Sequence, residues 1–183
     1  ADAVVTIDVS GAKSDSNGWT LVGGSGTGDD VLKGGAAADI ITGGAAADTI
    51  TGNGGADTIT GGTGDDIITG GTGNDIITVD AGKDTVLDLG GSGGSESDVV
   101  IVNSGATLDA TGIAGFTATN VTTNKSTDAT KATLTAKADA VVTIDVSGAK
   151  SDSNGWTLVG GSGTGDDVLK GGAAADIITG GAA

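Results

Sequence analysis

"GGTGDDIITGGTGNDIIT", residues 61–78, is one nine-residue phrase written twice: Gly, Gly, x, Gly, x, Asp, x, Ile, Thr. Glycines at positions one, two and four permit positive φ, so the chain can curl tightly with its carbonyls turned inward. The closing triplet favours β-structure and supplies one aliphatic side chain, at position eight. Each phrase therefore reads as a six-residue turn followed by a three-residue strand.

The phrases run almost without interruption, beginning at Ser25, Gly34, Gly43, Gly52, Gly61 and Gly70. A degraded seventh starts at Val79 and a candidate eighth at Gly93, after the insertion "DLGGS" at 88–92. Position eight is always aliphatic: Leu32, Ile41, Ile50, Ile59, Ile68, Ile77 and Val86. If two phrases complete one coil, each turn stacks on the turn two phrases later, with strands about 4.8 Å apart. The position-six aspartates then form two columns, Asp30, Asp48, Asp66, Asp84 and Asp39, Asp57, Asp75.

Carboxylates stacked so closely repel by about 1 kcal/mol per pair even in water. A calcium ion between turns would offset this, because it accepts carboxylate and carbonyl oxygens together. Zinc, copper and iron are poor candidates without His or Cys, and magnesium prefers a tighter, wetter octahedron. The seven contiguous phrases contain five such pairs, hence about five ions.

These residues resemble the RTX repeat, GGxGxDx-aliphatic-x, of secreted calcium-binding proteins. The likeness spans Ser25 to Leu87, recurs at Ser162 to Ala183, and is faint at 93–101. It implies a parallel β-roll holding calcium between turns, type I secretion from a Gram-negative-type bacterium, and folding on reaching external calcium. By carry-over, the ligands are carboxylates of Asp30, Asp39, Asp48, Asp57, Asp66, Asp75, Asp84, Asp167 and Asp176. With them come early turn carbonyls of Ser25, Thr27, Gly34, Ala36, Gly43, Ala45, Gly52, Gly54, Gly61, Thr63, Gly70 and Thr72. Two departures weaken individual sites: Ala37 and Ala46 replace the position-four glycine, and Ser25 and Val79 the position-one glycine.

A second, longer period encloses the first. Residues 138–183 repeat residues 1–46 without a change, at an offset of 137. Folding alone does not demand such identity, since surface positions of an array drift freely. The chain reads as a window on a longer periodic polymer. The expected parts are 1–22, the end of a preceding β-segment; 23–101, a nonapeptide roll; 102–159, a Thr/Val-rich β-segment packed on the roll's end; and 160–183, the start of the next roll. Whether 102–159 continues the roll or forms a small sandwich stays open at this level.

Composition supports an all-β fold and excludes several functions. The 183 residues include 37 Gly, no Pro, Cys, Met, His or Tyr, and only three aromatic residues, so the core must be thin and aliphatic. The formal charge is -16, from 24 acidic residues, all Asp except Glu96, against 8 lysines. Nucleic acid and anionic membranes are unsuitable partners for such a surface, and no apolar run is long enough to span a bilayer. Without His or Cys there is neither a triad nor a thiol nucleophile, and the chain is read as not an enzyme.

Smaller features carry bland readings beside sharper ones. Trp19 and Trp156 are one repeat position; a cover over the open end of the aliphatic stack is preferred to a glycan platform. "SDSNG" at 14–18 and 151–155 is read as a polar turn rather than a calcium loop. The sequons at Asn120 and Asn124 are read as chance matches, and Lys125, Lys131 and Lys137 as guards against wrong strand pairing.

The sequence therefore predicts a structural calcium-binding module of a long secreted fibre, filament, adhesin or surface-layer protein at the bacterial surface. Its expected partners are calcium ions and neighbouring repeats or identical chains end to end, with cell-surface polysaccharide a further candidate. The alternative is the calcium-folding tail of a secreted enzyme or toxin.

Overall fold

The fold is that of a computed structural model, which describes residues 3–12, 17–90, 96–104, 106–113, 115–118, 122–125, 132–136, 142–150, 154–162 and 165–181. Among these residues there are strands and turns but no helix. In chain order the first strands are β1 (Thr6–Asp8), β2 (Thr20–Val22), β3 (Val31–Lys33), β4 (Ile40–Ala45), β5 (Thr49–Gly54) and β6 (Thr58–Thr63). Next come β7 (Ile67–Thr72), β8 (Ile76–Val79), β9 (Gly82–Val86), β10 (Val99–Val102), β11 (Ala106–Ile113) and β12 (Phe116–Thr117). The last are β13 (Thr123–Asn124), β14 (Ala132–Ala136), β15 (Thr143–Asp145), β16 (Thr157–Val159), β17 (Val168–Lys170) and β18 (Ile177–Thr179).

Successive phrases alternate between two parallel sheets, as a coil of two phrases requires. Sheet A runs β1-β3-β5-β7-β9-β11-β14-β16-β18, and sheet B runs β13-β10-β8-β6-β4-β2. The register joins position eight to position eight: Leu32 to Ile50, Ile50 to Ile68 and Ile68 to Val86 in sheet A, and Ile41 to Ile59 and Ile59 to Ile77 in sheet B, where Leu21, ahead of the first phrase, pairs with Ile41. These side chains are buried and form one continuous aliphatic core. Residues seven and nine of each phrase point outward, so Ile40, Ile67 and Ile76 lie on the surface.

The division within the phrase differs from the sequence reading. From β4 to β7 the strand has six residues and runs on through the two glycines. The ladder persists there, pairing Gly44 with Gly62 and Asn53 with Gly71. Position-one glycines are buried beside the aliphatic ladder, and only about a third of the phrase is left to turn.

The close stack explains the glycines. At Gly62, φ is 112°, and a methyl group would lie 2.1 Å from the Gly44 carbonyl oxygen of the turn below. Gly73 meets Gly55 in the same way. Ala46 holds a φ of 79° without being glycine, a local strain that Ala37, the other position-four alanine, does not share.

Residues beyond the nonapeptides continue the roll instead of forming a sandwich. Sheet A passes from Val86 to Ala110, Leu134, Leu158 and Ile178, so its coils widen from 18 residues to 24 (86 to 110, 110 to 134, 134 to 158). The opposite face of a wide coil has two pieces. β13 closes sheet B against β10, while β12 opens a third sheet, C, in the order β12-β15-β17.

Gly62→Ala should destabilise the calcium-loaded chain by about 1–3 kcal/mol in chemical denaturation. Gly54→Ala, where the nearest atom to the new methyl is Thr72 Oγ1 at 3.3 Å, should cost far less. Equal losses would contradict the stacking account.

Candidate metal centre

The position-six aspartates stand in the two columns expected, and each carboxylate bridges two turns. Asp30 N–H donates to Asp48 Oδ1 at 2.8 Å, Asp48 N–H to Asp66 Oδ1 at 2.8 Å and Asp66 N–H to Asp84 Oδ1 at 3.0 Å. In the other column Asp39 N–H donates to Asp57 Oδ1 at 2.7 Å and Asp57 N–H to Asp75 Oδ1 at 2.8 Å. Every Oδ1 thus satisfies a backbone donor that the turn would leave unpaired.

This column reaches one residue further than the sequence reading carried it. Asp75 N–H donates to Asp98 Oδ1 at 2.9 Å, across the insertion that lengthens the spacing to 23 residues. The signal was present in "GGSESDVVI", where Asp98 occupies position six. Asp167 and Asp176 repeat the arrangement in the second copy, accepting from Val142 and Trp156 N–H.

The second carboxylate oxygen separates the aspartates into two groups. At Asp39, Asp98, Asp167 and Asp176, Oδ2 accepts the N–H of Gly35, Gly90, Gly161 and Gly172 at 2.5–2.7 Å, and Asp30 is capped likewise by Gly24. At Asp48, Asp57, Asp66, Asp75 and Asp84 the buried Oδ2 has no donor among the described residues. Backbone conformation differs at four of these five, although Gly90, which caps Asp98, itself has a φ of 85°. Gly44, Asn53, Gly62 and Gly71, at position two of the phrases that contain the first four of these uncapped aspartates, have φ between 76° and 122°. Gly35, before the capped Asp39, is not among the positive-φ glycines.

Position-one glycines let those atoms and a carbonyl of the next turn approach one another closely. A methyl group on Gly52 would lie 2.3 Å from Asp57 Oδ2 and 2.4 Å from the Gly70 carbonyl oxygen. On Gly43 it would lie 2.5 Å from Asp48 Oδ2 and 2.3 Å from the Gly61 carbonyl. Orphaned carboxylate oxygens beside carbonyls are a hard-oxygen donor set that suits calcium. No three carboxylates converge among the described residues, so backbone carbonyls must complete any such site. At position three, the Thr72 carbonyl already accepts the Gly55 N–H at 2.9 Å.

Burial sets the protonation of these carboxyls. It pushes Asp57 and Asp66 up to about 6 and Asp75 and Asp84 up to about 7, with neighbouring carboxylates adding to the rise and the backbone N–H bond opposing it. Asp30, capped by Gly24 and Val5 N–H, is held below the usual range.

The other candidates resolve plainly where they are described. Asn124 is buried, its amide donating to the Gly155 carbonyl at 2.5 Å, and so serves as a structural residue instead of a glycosylation acceptor. Asn120, Lys131, Lys137 and most of both "SDSNG" segments lie outside the described residues.

In comparison with known proteins, the profile of the RTX calcium-binding nonapeptide repeat (4 copies) matches residues 24–59, 51–86 and 157–183. No curated protein and no solved structure matches the chain.

The raised carboxyls fix the sign of a pH effect. Unfolded aspartates ionise near 3.8, whereas the folded ones keep protons to about 6–7, so between these values the metal-free fold binds more protons than the unfolded chain. Its stability therefore rises as pH falls from 7 toward 4. Chelated chain should gain β-signal in circular dichroism on acidification, while the calcium midpoint moves to higher concentration as protons compete. Loss of β-signal on acidification would contradict the assignment.

Proposed function

Given that this chain is built on RTX calcium-binding nonapeptide repeats, which bind Ca2+, we propose that it is a structural module of a long secreted bacterial fibre, filament, adhesin or surface-layer protein. Calcium folds and stiffens the roll. One observation carries the fibre reading: the unchanged repetition of 46 residues at an offset of 137, within a chain whose sheet A runs from the first copy into the second. Joining such units end to end makes a rod, whereas the tail of a secreted enzyme needs no repeated supermodule. Proteins carrying these repeats are typically secreted, and the proposed site of action is the outer cell surface.

Within the module, calcium is assigned first to Asp48, Asp57, Asp66, Asp75 and Asp84, with position-one carbonyls such as Gly61 and Gly70. Bound there, the ion would supply the positive charge that buried carboxylates need and tie each turn to its neighbour. Asp30, Asp39, Asp98, Asp167 and Asp176 would each have to give up a backbone N–H first, and are assigned the weaker role of turn caps. Residues 23–101 form the calcium-loaded part, and 102–159 the wider coils that connect it to the next.

Circular dichroism of chelated chain titrated with calcium should show a cooperative rise in β-signal, absent with magnesium. A chain fully folded without calcium would overturn the reading. Asp66→Asn, which keeps an oxygen for the Asp48 N–H but loses charge, should lower the calcium bound in equilibrium dialysis. Asp39→Asn should change it little.

A further inference from the structure

The two identical 46-residue copies are covered on opposite sides. Trp19 is 45% exposed but its copy Trp156 is 1% exposed, and Ile7 is half-buried where Ile144 is fully buried. Conversely, Ile41 is 0% exposed and its copy Ile178 is 51% exposed. The same sequence thus appears once with strands beneath it and once with strands above it.

What lies beneath the second copy is explicit. β14 pairs with β16, matching Thr133 to Thr157; β12 pairs with β15, matching Phe116 to Ile144; and the Asn124 amide holds the Gly155 carbonyl. The first copy presents the same strands, β1 and β2, with these edges unpaired among the described residues. Locally the copies fold alike: Lys33 meets Asp8 at 3.5 Å and Lys170 meets Asp145 at 3.0 Å.

The copies nevertheless occupy different sheets. β1 and β3 lie in sheet A but their copies β15 and β17 lie in sheet C, while β2 and β4 lie in sheet B and their copies β16 and β18 in sheet A. One unit therefore advances the coil so that the strands of one face arrive on another.

We propose that the end of the roll bearing Ile7 and Trp19 is a docking surface for the β12–β14 segment of a preceding copy of the same unit in the same chain, joined with its faces exchanged. The inference rests on reading the chain as part of a repeated fibre. In the joint, the preceding unit's sheet A continues into this unit's sheet B, and its sheet C into sheet A. Each sheet begins in one unit, crosses the next and ends in a third, so both sheets never stop at one joint. Tension along the fibre then passes every boundary through an unbroken hydrogen-bonded ladder.

The test lengthens the chain at its N-terminus by residues 47–137 of its own sequence, which add no tryptophan. In calcium, acrylamide should reach one of the two tryptophans in the original chain and neither in the lengthened one. The same comparison with Trp156→Phe in both chains isolates Trp19, whose emission should shift to the blue on lengthening. As the chain lacks cysteine, Thr20→Cys with Thr133→Cys in the added copy should form a disulfide, reporting the exchange of faces. If the lengthened chain shows full calcium-dependent β-signal but Trp19 stays quenchable, the joint is wrong while the module reading survives. Trp19 already shielded in the original chain would overturn the joint too, since another surface would be covering it. Absence of calcium-dependent β-signal in both chains would overturn the module reading, and the joint with it.

Discussion

A buried carboxylate accepting the backbone N–H of the turn below is the interaction on which this architecture depends. Each turn exposes a donor that neither the parallel ladder nor solvent can satisfy, and Oδ1 of the aspartate 18 residues later satisfies it. Buried hydrogen bonds to ionised acceptors are strong, and leaving such a donor unpaired costs more than the bond is worth. The aspartate column thus fixes the register of the stack as firmly as the aliphatic column does, and the two run side by side.

That arrangement has an electrostatic cost. Burial and mutual repulsion raise Asp57, Asp66, Asp75 and Asp84 well above the ordinary range, and in these four and Asp48 the second oxygen has no donor among the described residues. The turn has two ways of treating this oxygen: a backbone N–H caps it, or it is left without a donor beside a carbonyl of the next turn. The first is self-sufficient, and the second suits a cation. Glycine serves both the sharp turn and the close approach of one coil to the next, and alanine in its place at position four leaves Ala46, though not Ala37, in a strained conformation.

The wider coils at 106–159 obey the same parallel rule without the nonapeptide. Alternating residues in "ATLTA" and "TLV" place Leu134 and Leu158 over Ala110 in the core of sheet A. The extra residues per coil are taken up by splitting the opposite face into β12 and β13. One sheet closes and another opens without a break in the core.

The nonapeptide stretch was legible because its fold follows from local chemistry. Glycines at fixed positions, one aspartate and one aliphatic residue per nine determined the period, the inward face and the two columns, and the pairing of phrase with next-but-one phrase follows from a coil that must bury position eight on both sides. Asp98 and the continuation of the roll were less legible, since insertions shift register and the alternating Thr/Val strands of 106–159 fit a sandwich as well as a solenoid; only the partner strand decides. The extended strand through the glycine pair depends equally on neighbours, for an isolated Gly-Gly reads as a turn until a stacked ladder holds it straight. The sharpest limit is the duplicated segment itself: 46 identical residues take part in different sheets and bury opposite sides, because a residue's exposure is set by the coil above and the coil below, which its own sequence does not contain.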